Sequence, residues 1–174
     1  MIEVLVTLLI LLLGLLGLAG LIRQSQSSEM ESYQRVQALV LLRDMAERIN
    51  TNRISSASYV TGVVAPLGAG STENCSNPTT AVAIDRCQWD AMLKGAAETS
   101  GTSKVGAMIG GRGCVTQPSA AASAPVNEFL VEVVWQGLSA TAAPPSSVLC
   151  GKDAYGDDKN RRAVTTVVRI GTID

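Results

Sequence analysis

Residues 1–22 read MIEVLVTLLILLLGLLGLAGLI, an apolar run whose one charged residue, Glu3, stands near its tip. At about 1.5 Å of rise per residue, a helix of this length covers the roughly 30 Å hydrocarbon core of a bilayer. An ionisable group inside a spanning helix is costly and marks a functional residue by default. The run therefore predicts a single membrane-spanning helix, with Glu3 as a candidate functional acid. The alternative is a cleaved signal peptide, with its cut near Ala19-Gly20. Such a peptide carries an apolar stretch of about 7–15 residues after a basic start. Here the run is longer, and the first basic residue, Arg23, follows it.

The helical pattern continues past the run. Residues 23–37 (RQSQSSEMESYQRVQ) contain no proline, and Glu31 and Arg35 form a favourable i,i+4 pair. Ala38, Leu41, Leu42, Met45, Ala46 and Ile49 then recur at helical spacing. Arg43, Asp44, Glu47 and Arg48 lie off that stripe, with Asp44 placed to pair with Arg48. One helix is expected from about residue 1 to residue 52, apolar all round in its first half and amphipathic in its second. Gly14, Gly17 and Gly20 interrupt the apolar half, each at a cost of about 1 kcal/mol relative to Ala. Two readings stand for them: close helix packing through small residues, or a stretch that extends or unwinds when subunits pack.

Residues 54–80, rich in Ser, Gly, Thr and Asn with Pro66 and Pro78, read as loop. A second helix is expected near 82–98, with Asp85 near its start and Trp89, Met92, Leu93 and Ala96 on one core-facing side. Residues 99–111 remain unassigned. Then the period changes: Phe129, Val131, Val133 and Trp135 alternate with Leu130, Glu132, Val134 and Gln136. Residues 163–170 read as a further β-branched strand and 113–117 as a shorter one. Ala/Ser/Pro-rich connections at 118–126 and 139–147 separate them. The fold class is α+β: a long N-terminal helix packed on a small antiparallel sheet, with a short second helix. The expected divisions are 1–24 (transmembrane or filament core), 25–53 (amphipathic half) and 54–174 (globular domain).

Composition narrows the function. The 174 residues hold 14 basic and 15 acidic groups, a net charge of −1, so there is no basic field for nucleic acid. Histidine is absent, which removes the usual general base and the commonest metal ligand. Neither G-x-S-x-G nor S-x-x-K occurs. GGRG at 110–113 lacks the strand-then-helix context of a phosphate loop. Asp153, Asp157 and Asp158 in KDAYGDDKN match no EF-hand spacing and read as a solvated turn. No cofactor and no catalytic residue is expected. Cys75, Cys87, Cys114 and Cys150 form no C-x-x-C pair and read as two disulfides in an oxidising compartment. Of the three possible pairings, the sequential one (Cys75–Cys87 and Cys114–Cys150) needs the fewest topological assumptions. Reduced, buried cysteines are the alternative.

Several of these stretches resemble type IV pilins. IEVLVTLLI at 2–10 is similar to the family's F-T-L-I-E-V-L-V-A-L-like start. DMAERINTNR at 44–53, CQWDAML at 87–93, VEVVWQG at 131–137, Cys150-Gly151 and Arg161-Arg162 resemble, more narrowly, the PilV-like minor pilins called type IV pilus modification proteins. The resemblance implies a pilin fold and a non-enzymatic minor pilin that helps initiate or cap the pilus and supports adhesion, twitching motility or DNA uptake. Its implied partners are other minor and major pilins and the assembly platform, with no direct nucleic-acid binding. Its implied location is the bacterial inner membrane, single-pass with the C-terminal domain in the periplasm, then the extracellular pilus. Related readings are a type II secretion minor pseudopilin and, in a different class, a single-pass anchored periplasmic binding domain.

By the same resemblance, Glu3 stands at the glutamate that neutralises the N-terminal amine of a neighbouring subunit during assembly. A carboxylate in low dielectric stays protonated or finds a cation. The pair supplies register more than net stability. The family's precursor has a basic leader ending in Gly, then Phe, and its glutamate lies two residues further from the mature start. Met1 thus falls where the third mature residue belongs. The leader and two mature residues are expected to be missing through trimming or a misassigned start, and N-terminal processing and methylation are implied for the parent protein.

Overall fold

The computed structural model of the chain describes residues 2–96, 99–101, 103–104, 106, 108–118 and 126–171. Helix α1 (Ile2–Thr51) is unbroken. At about 1.5 Å per residue it is roughly 75 Å long. Gln34, Ala38, Leu41, Leu42, Met45 and Ile49 are its buried residues, and Ala46 is partly buried beside them. The stripe is the one the spacing predicts, extended one turn earlier by a glutamine. Both amide atoms of Gln34 are buried without a hydrogen-bond partner. Beyond Thr51 a 3-10 segment (Arg53–Tyr59) turns the chain back, and Tyr59 enters the core.

A two-residue strand β1 (Leu67–Gly68) precedes helix α2 (Ala81–Leu93). The Thr80 side chain caps α2 by accepting from the Ala83 N–H at 3.2 Å. The expected end of this helix at residue 98 is too late. Gly95 takes a positive φ of 84°, and a Cβ there would lie 2.7 Å from the Gly106 nitrogen, so a left-handed turn stops the helix. Residues 97–98 lie outside the described residues.

A hairpin of β2 (Thr99–Ser100) and β3 (Ser103–Lys104) occupies part of the unassigned stretch. The main sheet has the order β1-β4-β5-β6, all antiparallel, with β4 (Ile109–Thr116), β5 (Val126–Gln136) and β6 (Arg161–Gly171). Most of the connection expected at 118–126 lies outside the described residues, as do 172–174. Strand β4 starts four residues earlier than the expected 113–117, because GGRG is part of it. Its glycines allow close approach: a Cβ on Gly113 would sit 2.2 Å from the Trp89 ring, and one on Gly111 would sit 2.8 Å from the Leu93 carbonyl. The glycine cluster is thus the seat of α2 on the sheet, and a bulge falls between Ile109 and Arg112.

The inner sheet face presents Phe129, Val131, Val133 and Trp135 together with Val115, Val168 and Ile170, all buried with the α1 stripe in one core. The outer face is covered as well: Glu132 and Val134 are 1% and 0% exposed. The segment between β5 and β6 folds across them. Cys150 in that segment is disulfide-bonded to Cys114 of β4, and the Tyr155 hydroxyl donates to the Gly110 carbonyl at 2.8 Å. The other disulfide joins Cys75 to Cys87, tying the loop before α2 to the helix. Each such link contributes about 2–4 kcal/mol.

Gly113→Ala should force the Trp89 ring off the strand and lower domain stability by about 1–3 kcal/mol. Thermal unfolding followed by tryptophan emission checks this, with Gly171→Ala, where a Cβ meets open space, as the neutral control.

Candidate assembly surface

The apolar half of α1 makes no use of the domain. Every large apolar side chain from Ile2 to Ile22 is exposed, and the stretch is long and apolar enough to cross a membrane. An apolar surface of this size belongs in lipid or against other protein. Thr7 is the one uncharged polar side chain in the run, and its hydroxyl is satisfied within the helix, donating to the Val4 carbonyl at 3.0 Å.

Glu3 lies in the first turn of α1, where the helix dipole favours a negative charge. It is exposed, and among the described residues no ion pair involves it. Gly14, Gly17 and Gly20 sit three residues apart within the regular helix, and a Cβ on any of them would meet nothing within 4 Å. Their row leaves a shallow groove on a surface that nothing in this chain fills. Glu3 and the glycines therefore share one helix and one uncovered surface. They are not gathered into a pocket.

A second feature escaped the sequence reading. The amphipathic half of α1 keeps apolar residues on its outer side as well: Met30, Tyr33, Val36 and Val40 are all about half exposed. A shallow groove between Gln26, Glu29, Met30 and Tyr33 opens there. The spacing 33, 36, 40 was the available signal, masked by the stronger inner stripe. A second uncovered apolar strip thus lies beyond the polar residues 23–29, along the outside of the domain.

The inner side is fixed by polar contacts at both ends. Arg48 donates to Asp44 at 2.7 Å, to Asp85 at 2.6 Å and to Gln88 at 2.8 Å, joining α1 to α2. The Tyr59 hydroxyl donates to Asp85, and burial together with that bond pushes its pKa up to about 12. The Trp89 indole donates to the Leu41 carbonyl at 2.9 Å. At the other end the expected Glu31–Arg35 pair is replaced. Glu31 accepts from Arg162 at 3.0 Å, because Arg162 lies across Gly137 at the end of the sheet and reaches the helix from there.

Cys114, Cys150 and Glu132 bring their sulfurs and a carboxylate oxygen within 4.8 Å of one another. Both sulfurs are spent in the disulfide, so no thiolate remains to hold a metal. Burial pushes the Glu132 carboxyl up, against the pull of Arg161 and a hydrogen bond from the Cys150 backbone. Arg161 is held by Asp158 at 2.6 Å, which in turn keeps the Asp158 carboxyl low. The Asp157 side chain accepts from the Lys159 N–H at 3.0 Å. Two of the three aspartates in that loop thus have structural tasks.

Residues 21–94 match the model of a family described as Tt1218-like, Type IV pilin Tt1218. No curated protein and no solved structure matches the chain.

Glu132 carries a pH signature. Its carboxyl titrates higher in the folded chain than in the unfolded one, so folding takes up a proton as pH rises above the ordinary range near 4.5. Its contribution is fully present below that range and is lost as pH climbs through the raised value. Glu132→Gln should remove this slope, read from urea midpoints measured across acid to neutral pH.

Proposed function

We propose that this chain, which is similar to type IV pilins over residues 21–94, works as a minor pilin, a structural subunit that helps initiate or cap the pilus. The observation that carries this reading is the pairing of a covered and an uncovered half on one continuous helix. A domain clasps residues 34–49 and holds residues 2–22 clear, with a lone acid at the tip. Before assembly the apolar half spans the inner membrane and the domain, residues 54–174, lies in the periplasm. During assembly the half leaves lipid and packs against the same segment of neighbouring pilins. Lipid and protein are similarly apolar, so close packing and polar contacts set the balance.

Glu3 is the assembly residue in this scheme. A neighbour's amino terminus relieves the cost of a carboxylate in low dielectric and fixes the axial register of the incoming subunit. The groove at Gly14, Gly17 and Gly20 lets adjacent helices approach. The two disulfides suit a small domain exposed outside the cell. Its partners are the other minor and major pilins and the platform that extracts them, and its service is to adhesion, twitching motility or DNA uptake.

Glu3→Leu should leave the chain in the inner membrane at parental levels and abolish its recovery with sheared pili, scored by immunoblot of both fractions. Recovery of the variant in pili at parental levels would refute the role given to Glu3.

A further inference from the structure

At the end of the domain nearest the apolar run of α1, residues 137–150 (GLSATAAPPSSVLC) contain no Asp, Glu, Lys or Arg. Leu138 and Leu149 within them are 44% and 45% exposed. Hydrogen bonds hold both at the start of β6. The Gly137 N–H donates to the Asn160 carbonyl at 2.8 Å, and Arg162 donates to the Ser139 carbonyl at 2.7 Å. Arg161 donates to the carbonyls on either side of Leu149, Val148 at 2.9 Å and Cys150 at 3.0 Å. Because Arg162 also binds Glu31, this end of the sheet is pinned at the level of residue 31 on α1.

That level is close to the bilayer. Residues 23–31 separate it from the apolar run, about 13 Å of helix. The headgroup layer reaches about 5–7 Å beyond the hydrocarbon on each side. A helix tilt of about 20° and the reach of side chains below the pinning point close the remainder. An uncharged segment with two protruding leucines suffers little desolvation there and gains by burying them.

We infer that residues 138–149 rest on the lipid surface while the apolar half of α1 spans the bilayer, with Leu138 and Leu149 entering the headgroup layer. This rests on the membrane-spanning reading of α1. The contact makes the domain lie down on the membrane at a fixed rotation about the helix axis. That rotation sets which side of α1 faces an approaching subunit before any protein contact forms. It also adds to what extraction must undo, since the leucines leave lipid together with the helix.

The test uses the full chain in phosphatidylcholine–phosphatidylglycerol vesicles that carry spin-labelled lipids, with the label either near the headgroup or at mid-bilayer. Trp89 and Trp135 of the parent chain are 0% and 3% exposed and supply a background to subtract. Leu138→Trp and, separately, Leu149→Trp should add emission that is lost with the headgroup-side label and kept with the mid-bilayer label. Leu12→Trp should show the opposite preference. If Leu12→Trp is quenched and both loop variants are untouched by either label, the lipid contact is overturned and the spanning helix stands. A surface reserved for a protein partner would give that result. If Leu12→Trp is untouched as well, both readings fall.

Discussion

The stripe from Gln34 to Ile49 against the inner sheet face is the constraint on which the rest depends. Burying it fixes where α1 lies and, because the helix is continuous, where residues 2–22 project. Trp89 reinforces the seat from the other side. Its ring lies over Gly113, and its indole bonds the Leu41 carbonyl, so α2, β4 and α1 meet at one side chain. The polar clasps at Arg48 and Glu31–Arg162 stand at the two ends of the stripe. They are partly buried pairs and contribute to orientation more than to net stability. Hydrophobic burial supplies the affinity of helix for sheet, and the ion pairs supply its register.

The sheet is covered on both faces, by different means. α1 closes the inner face through apolar packing. The segment between β5 and β6 closes part of the outer face through the Cys114–Cys150 link, the Arg161 bonds to backbone carbonyls and Tyr155. Burial also pushes the Tyr155 hydroxyl up to about 12, so it remains a donor throughout the ordinary pH range. A long connection whose first part, residues 137–150, is Ser/Ala/Pro-rich gives little apolar area of its own. A covalent tie and a buried arginine hold what packing alone would leave loose.

The sequence made the long helix and the strand alternation legible because both are periodic and both stand on burial. Alternation at 129–136 placed the inner residues correctly. It carried no sign that Glu132 and Val134 on the other face are buried too, since nothing local in a Ser/Ala/Pro-rich stretch signals that it will fold back as a lid. The early start of β4 was hidden by its glycines, which read as loop until α2 is known to lie on them. The end of α2 depended on a contact between Gly95 and Gly106, which no helical window contains. Glu31 chose Arg162 over Arg35 because the sheet end, distant in sequence, came nearer than the next turn. Of the candidate assembly surface, Glu3 and the three glycines stand out in the chain itself, whereas Met30, Tyr33, Val36 and Val40 become apparent only once the inner face is assigned.

The fold and the apolar half of α1 are energetically separate. None of the apolar stretch is buried within the chain, so the domain gains no stability from it. That surface must be covered by something outside the chain, lipid or other protein. The two environments are nearly equal for leucine side chains, which leaves the choice to the few groups that distinguish them. A carboxylate distinguishes them strongly, because lipid offers it no cation and a neighbouring chain's amino terminus can. The glycine row distinguishes them through shape, because a rigid helix fills a groove differently from a mobile acyl chain. In the role proposed above, a chain built so that almost all of its exposed apolar surface is indifferent, and only a few positions are not, moves between bilayer and filament with the direction set at those positions.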